Sequence, residues 1–275
     1  MLNMILQGII QGLSEFLPIS SSGHLTLFQH FTKIDLEANM TKEAIMTTDI
    51  ALHFGTLIAV IYFFRKDIIP YFTKAGWQDA SLRKIALLVI VGSIPTALIG
   101  FALKKQFEAL FSNPIAVCCA LFITGIVLLI SEKIKNSNKE STPLPQLSYG
   151  KAVVTGIAQG IAITPGISRS GSTIAAGLLL GLKGEDAAKY SFLLMIVAVG
   201  GATLLEFIKV VKSGGLPPGL DLTSLIVGAL TAMVVGFLSL KFLVYIINKQ
   251  KLSYFAYYLF AVSIICFSLI QFAGM

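Results

Sequence analysis

The chain has 275 residues, of which 55% are hydrophobic and only 13% charged, with a mean hydropathy of +0.82. Soluble globular domains carry about 25% charged residues, so this composition excludes one and predicts a polytopic membrane protein. The net charge of +7 does not point to nucleic acid, because the basic residues sit mainly in loops beside apolar runs, as a positive-inside bias requires. A smaller share of them would attract anionic headgroups or a phosphorylated substrate.

In chain order, the first element covers about residues 2–31 and is an apolar stretch broken at Pro18-Ile19-Ser20. It lacks a basic leading region and already carries Ser14 and Glu15, so it does not read as a cleavable signal peptide. Three runs long enough to cross a bilayer follow, at about 48–64, 85–103 and 114–131. A polar, proline-containing linker occupies 132–148. A second broken element, about 151–182, is interrupted at Pro165-Gly166-Ile167-Ser168, and three more runs lie at about 189–208, 222–245 and 254–273. Broken helices at membrane depth are tolerated only where protein or a wet cavity surrounds them. Each broken element therefore reads as a re-entrant helix–loop–helix, with a polar transmembrane helix kinked at proline as the competing reading.

The two broken elements are copies. Gln11 to His24, QGLSEFLPISSSGH, is answered 148 positions later by Gln159 to Ser172, QGIAITPGISRSGS. Extended back to Gly8 and Gly156, they share Gly-Ile, Gln-Gly and Ile-Ser-x-Ser-Gly in one register. A fixed-offset repeat divides the chain into two halves. Three spans separate the copies, and an odd number inverts the second half. Inverted repeats built on broken helices place their site at the repeat interface, so the two polar loops are predicted to meet in the interior. The expected fold is an all-α polytopic membrane protein, one domain over 1–275. Repeat one covers about 1–131 and repeat two about 149–275, each a re-entrant hairpin plus three transmembrane helices.

Orientation follows from the basic residues. Arg65, Lys66, Lys74, Arg83, Lys84, Lys133, Lys135, Lys139, Lys151, Lys183, Lys249 and Lys251 fall on one side. Lys33, Lys42, Lys104, Lys105, Lys209 and Lys212 fall on the other. The richer side is predicted to be cytoplasmic and both termini outside, although opposed repeats pull against each other. Trp77 and Tyr71 fit an interfacial belt. Cys118, Cys119 and Cys266 lie inside apolar runs without ligand spacing and read as packing residues.

Gln11 and Glu15 are four apart and share a helix face. A carboxylate in an apolar helix needs a partner or a wet cavity. Ser20, Ser21, Ser22 and His24 follow, and a hydroxyl beside an imidazole is the minimal pair for nucleophilic catalysis. The Ser-x-x-His spacing would let Ser21 and His24 meet across one turn; a serine-rich helix cap with an incidental histidine is the alternative. In the second copy, Ser168, Arg169, Ser170, Ser172 and Thr173 crowd a turn before a helix start. Free N–H groups at a helix start, small hydroxyl residues and arginine together make a phosphate cradle; the alternative is an interfacial cap. An anion clamp, a hydroxyl, an imidazole and a carboxylate form an inventory for phosphoryl transfer. Inside a membrane, that points to a lipid-linked phosphate. Less informative are Asp49 with His53, which could pair or line the cavity, and Glu206 with Lys209, which reads as an interfacial pair. Lys241 is expected to snorkel, His30 to lie at an interface and Pro95 to kink its span.

At these residues the sequence closely resembles the undecaprenyl-pyrophosphate phosphatase family linked to bacitracin resistance. The family's first motif matches Gln11 and Glu15, followed by Ser20, Ser21, Ser22, Gly23 and His24. Its second matches Pro165, Gly166, Ser168, Arg169, Ser170 and Thr173. The resemblance, which covers essentially the whole chain, implies a bacterial inner-membrane hydrolase open to the outer face. Such an enzyme converts undecaprenyl pyrophosphate to undecaprenyl phosphate and inorganic phosphate, recycling the cell-wall lipid carrier. It implies Ser21 as nucleophile, His24 as acid–base, Arg169 as the pyrophosphate clamp and Glu15 as a catalytic or metal-linked carboxylate. Gln11, Ser20, Ser22, Gly166, Ser168, Ser170 and Thr173 would surround the phosphates. A divalent cation, Mg²⁺ or Ca²⁺, is implied as cofactor, although Gln11 in place of a second carboxylate weakens a protein-held metal site; an ion held mainly by substrate phosphates remains compatible. His24 as nucleophile, or as activator of water, stays open. The expected partners are the bilayer and a polyprenyl pyrophosphate lipid, with a homodimer left open and no nucleic acid. A polyprenyl-phosphate flippase using the same loops is the rival from another class. The acid-phosphatase-type lipid phosphatases also carry a Ser-Gly-His, but their Lys…Arg-Pro motif and second histidine are absent.

Overall fold

The computed structural model describes residues 1–32, 41–137, 141–248 and 251–272. Of the basic residues used for orientation, Lys33, Lys139 and Lys249 lie outside the described residues, as do linker positions 138–140. Two short helices open the chain, α1 (Leu2–Phe16) and α2 (Ser21–Thr32), followed by α3 (Lys42–Phe63), α4 (Arg65–Ile68), α5 (Lys74–Gln78), α6 (Ala80–Ala102), α7 (Lys104–Phe111) and α8 (Pro114–Ser137). The second half contains α9 (Tyr149–Ile161), α10 (Arg169–Leu179), α11 (Gly184–Lys212), α12 (Leu222–Asn248) and α13 (Ser253–Phe272). Among the described residues the sole β pairing is a bridge between Thr142 and Leu182.

Six of these helices, α3, α6, α8, α11, α12 and α13, are long and apolar enough to cross a membrane. The chain is a multi-pass, all-α membrane protein. Each predicted run falls on one of the six, and α3, α6 and α11 begin several residues before the apolar stretch does. For α3 and α6 the reason is capping. Thr41 Oγ1 accepts from Ala44 N (3.2 Å) and starts α3. Asp79 Oδ1 accepts from the Ser81 and Leu82 amides (2.7 and 3.3 Å) and starts α6. Polar caps satisfy the first free N–H groups, and a hydropathy run does not register them.

The two broken elements are helical hairpins, which removes the kinked-helix reading. Leu17, ahead of Pro18, is extended (φ −62°, ψ 144°), and Ser20 takes a left-handed φ of 71°, so the helix cannot pass through. In the second copy Gly166 provides the left-handed residue (φ 92°). The partners then fold back. Gln29 Nε2 donates to Gln7 Oε1 (3.2 Å), joining the end of α2 to α1. Lys151 Nζ donates to the Leu180 carbonyl (2.8 Å), joining the start of α9 to the end of α10. A 15-residue α1 is about 22 Å long, short of the ~30 Å hydrocarbon core.

The first helix of each hairpin leans on the other half. α1 packs along α12, where a Cβ at Gly8 would stand 2.6 Å from the Gly228 carbonyl oxygen. α9 packs along α6, where a Cβ at Gly156 would run into the Gly92 carbonyl oxygen. Thr96 Oγ1 donates to the Gly156 carbonyl (2.9 Å) and receives Gln159 Nε2 (3.2 Å), next to Pro95 inside α6. One buried apolar cluster runs through residues of both halves, from Phe16 to Leu259. Gly156→Ala is expected to destabilise the protein by about 1–3 kcal/mol, because the methyl group meets backbone that cannot rotate away. Gly150→Ala in the same helix meets nothing within 4 Å and should leave the apparent Tm in detergent unchanged.

Outside the hairpins, Glu206 differs from the interfacial pair expected. Lys209 Nζ does stand 3.7 Å away, but the carboxylate is buried and accepts from Thr47 Oγ1 of α3 (3.0 Å). Lys241 lies over the Phe237 ring (4.7 Å). Trp77 Nε1 donates to the Tyr71 carbonyl (2.6 Å), with Phe72 and Trp77 exposed beside the basic segment.

Candidate active site

The two hairpin turns interlock. Ser170 Oγ donates to the Leu17 carbonyl (3.1 Å) and Ser20 Oγ to the Ile167 carbonyl (3.4 Å), so each turn is held by a serine of the other. Both copies of Ser-x-Ser-Gly fold alike. Ser20 Oγ lies 3.3 Å from Ser22 Oγ and accepts from Gly23 N (3.2 Å). Ser168 Oγ lies 3.3 Å from Ser170 Oγ and accepts from Gly171 N (3.0 Å). The glycines are needed at this contact, since a Cβ on Gly23 would stand 2.9 Å from Gly166 Cα. The predicted meeting of the polar loops is therefore observed, and it starts α2 and α10 side by side.

Glu15 is the centre of the site, with a side chain only 3% exposed. Oε1 is paired with Arg169 Nη2 of α10. Oε2 accepts from Ser21 Oγ (2.5 Å) and Gln11 Nε2 (3.1 Å). A buried carboxylate persists only when its oxygens are occupied in this way. Two polar atoms remain buried here without a partner among the described residues: Arg169 Nη1 and Gln11 Oε1. Buried donors and acceptors are rarely left unused. A guanidinium that has one N–H group on a carboxylate and another free is suited to grip a phosphate oxygen.

Ser21 and His24 do not bond to each other, contrary to the one-turn pairing that the spacing suggests. Ser21 turns to Glu15. His24 turns away, its Nδ1 2.8 Å from the Ser20 carbonyl oxygen and its Nε2 2.8 Å from the Tyr258 hydroxyl, with the two rings stacked. The carbonyl can only accept, so Nδ1 carries the proton and Nε2 accepts from Tyr258 in the neutral ring. The other motif residues are occupied with the turn itself. Thr173 Oγ1 donates to the Arg169 carbonyl (2.8 Å) and lies 2.5 Å from Ser191 Oγ, bracing the first turn of α10 behind the arginine. Thr124 Oγ1 donates to the Gly166 carbonyl (3.0 Å) and receives Ser168 N (3.1 Å). His53 and Tyr258 reach the site from spanning helices. The sequence left Asp49 and His53 either to pair or to line the cavity, and His53 lines the site, its Nε2 3.5 Å from Glu15 Oε2; Tyr258 carried no sequence signal.

Among the described residues, no group of three or more His, Cys, Asp or Glu could hold a metal ion. Both oxygens of Glu15 are occupied by protein donors.

The family profile for the bacitracin resistance protein BacA matches residues 4–265, both hairpins included. The chain belongs to the BacA family. It is 45% identical over 263 residues to an undecaprenyl-diphosphatase from Halothermothrix orenii, covering 95% of each chain. Identity to proteins of the same name is 39% in Carboxydothermus hydrogenoformans, covering 94% of each chain, and 41% in Desulfosudis oleivorans, covering 93% of each. Glu15, Ser21 and Arg169 all lie within the matched residues.

Proposed function

We propose that this BacA-family chain hydrolyses a polyprenyl pyrophosphate, undecaprenyl pyrophosphate in the first instance, to the monophosphate and inorganic phosphate. One observation carries this reading: the Ser21 hydroxyl donates to buried Glu15 beside an arginine that still has a free N–H. Nucleophile, base and anion clamp are then contiguous, as phosphoryl transfer demands. The names of the relatives agree with it.

In the proposed course the diphosphate is held by Arg169 and the start of α10. Ser21 Oγ attacks the terminal phosphorus and gives its proton to Glu15. The bond from phosphorus to the bridging oxygen breaks, and the lipid monophosphate leaves as an anion that needs no proton. Water then attacks the phosphoserine, one of its hydrogens staying on the phosphate, and Glu15 returns a proton to Ser21 Oγ. We assign His24 to the other proton of that water, which it passes on to solvent; the unprotonated Nε2 supports this. A Mg²⁺ or Ca²⁺ ion would be held by the diphosphate oxygens and would offset their charge. The lipid tail would stay in the bilayer, in an inner membrane with the site open to the outer face. The odd number of spans between the hairpins supports an inverted repeat.

The test is phosphate release by the detergent-purified protein from a long-chain polyprenyl pyrophosphate, with Mg²⁺ and with Ca²⁺. Release that chelation abolishes and either ion restores is the expected result. No release from folded protein with either ion would overturn the reading in favour of a carrier of lipid phosphates.

A further inference from the structure

Glu15 has a neighbour that belongs to neither motif. His53 lies in the middle of α3, and its Nε2 stands 3.5 Å from Glu15 Oε2. Its Nδ1 is 2.7 Å from the Asp49 carbonyl oxygen one turn earlier. That oxygen only accepts, so Nδ1 carries a proton and the ring is oriented by the backbone of its own helix. Nε2 is the atom turned to the carboxylate, and in the charged ring it presents an N–H. The helix itself is firmly placed. Thr56 Oγ1 donates to the His53 carbonyl (2.9 Å), and a Cβ on Gly55 would run into the Ala229 carbonyl oxygen of α12.

Arg169 has two tasks on the phosphatase reading, on which this inference rests. It is the ionic partner of Glu15 and also the clamp for the diphosphate. Phosphate oxygens that draw the guanidinium loosen its hold on Oε1 at the moment when Oε2 must stay aimed at Ser21. A buried carboxylate deprived of its cation is costly and free to turn. The surrounding helices offer few substitutes. α1 contributes Glu15 itself, α10 contributes Arg169, and α3 carries Asp49 on the same helix. α11 presents Glu206 to Thr47, more than a turn from His53, and the sole charged residue of α12, Lys241, lies over Phe237.

We propose that His53 is a positioning residue, the imidazole on α3 that keeps Glu15 facing Ser21 while Arg169 engages the substrate. It acts only through Glu15.

The test compares His53→Leu with His53→Gln in the phosphate-release assay, with apparent Tm as a folding control. Leucine fills a similar space and has no donor; kcat should fall about 100-fold, the scale of a misplaced catalytic group, with KM within about threefold of wild type. Glutamine keeps an N–H donor and should recover kcat to within about tenfold of wild type. Equal kcat in the two variants, whether both are active or both inactive, would overturn the positioning role. An inactive wild type would instead overturn the phosphatase reading and this role with it.

Discussion

Arg169→Ala should lower kcat/KM for polyprenyl pyrophosphate by about 10³- to 10⁵-fold, the range for an arginine that stabilises charge on a transferring phosphoryl group. It is the only basic side chain paired with Glu15 in the interlocked turns apart from the 3.5 Å approach of His53. The substitution has a second cost. It strands a buried carboxylate, and breaking such a pair costs about 3–5 kcal/mol, so the apparent Tm should fall as well. Arg169→Lys separates the two effects. Lysine retains the charge for Glu15, and stability should largely return. It cannot reproduce the fork with which one guanidinium serves carboxylate and phosphate at once, so most of the activity loss should persist. Full activity in Arg169→Lys would show that only the charge matters, and the clamp described here would be wrong.

Ser21→Ala should reduce phosphate release by about 10⁴-fold or more, as removal of a nucleophile does when little bypass chemistry remains. Its effect on stability should be small, about 1 kcal/mol, because Glu15 keeps Arg169 and Gln11 after the 2.5 Å hydroxyl contact is lost. The comparison with His24→Ala discriminates between mechanisms. If Ser21→Ala stays within about tenfold of wild type while His24→Ala is inactive, attack comes from His24 or from water it activates. Acid-stable phosphate recovered on the Ser21 peptide after quenching would support the serine route directly, and phosphohistidine at position 24 would remove it. A lipid-phosphate carrier has no use for a nucleophile. It would tolerate Ser21→Ala and still fail with Arg169→Ala.

Much of this protein is local and could be read from its sequence. The six spans follow from runs of apolar residues, because the bilayer sets their length and no distant contact is needed to recognise them. The breaks at Leu17–Ser20 and at Gly166 follow from proline and glycine, whose backbone limits act on their immediate neighbours. The copied Ser-x-Ser-Gly caps fold alike for the same reason: each is closed by bonds spanning three residues or fewer. Even the meeting of the two turns was foreshadowed, since polar turns placed in two apolar halves have only each other to bury against. Helix starts were missed where a cap such as Thr41 or Asp79 lies outside the apolar run.

The site's wiring was not local. Ser21 and His24 sit three residues apart at the start of α2, yet their partners are Glu15 on α1 and Tyr258 on the last helix. Spacing along one helix shows which side chains share a face, but not which helix packs against that face. Glu15 likewise gathers Gln11 from its own helix, Ser21 from the next, His53 from a spanning helix and Arg169 from the other half. The sequence by itself determined the membrane class, the spans, the two broken copies and the stock of reactive groups. Only the tertiary structure decided that the hydroxyl faces a carboxylate instead of an imidazole, because the low-dielectric interior makes Glu15 collect every donor that packing brings within reach.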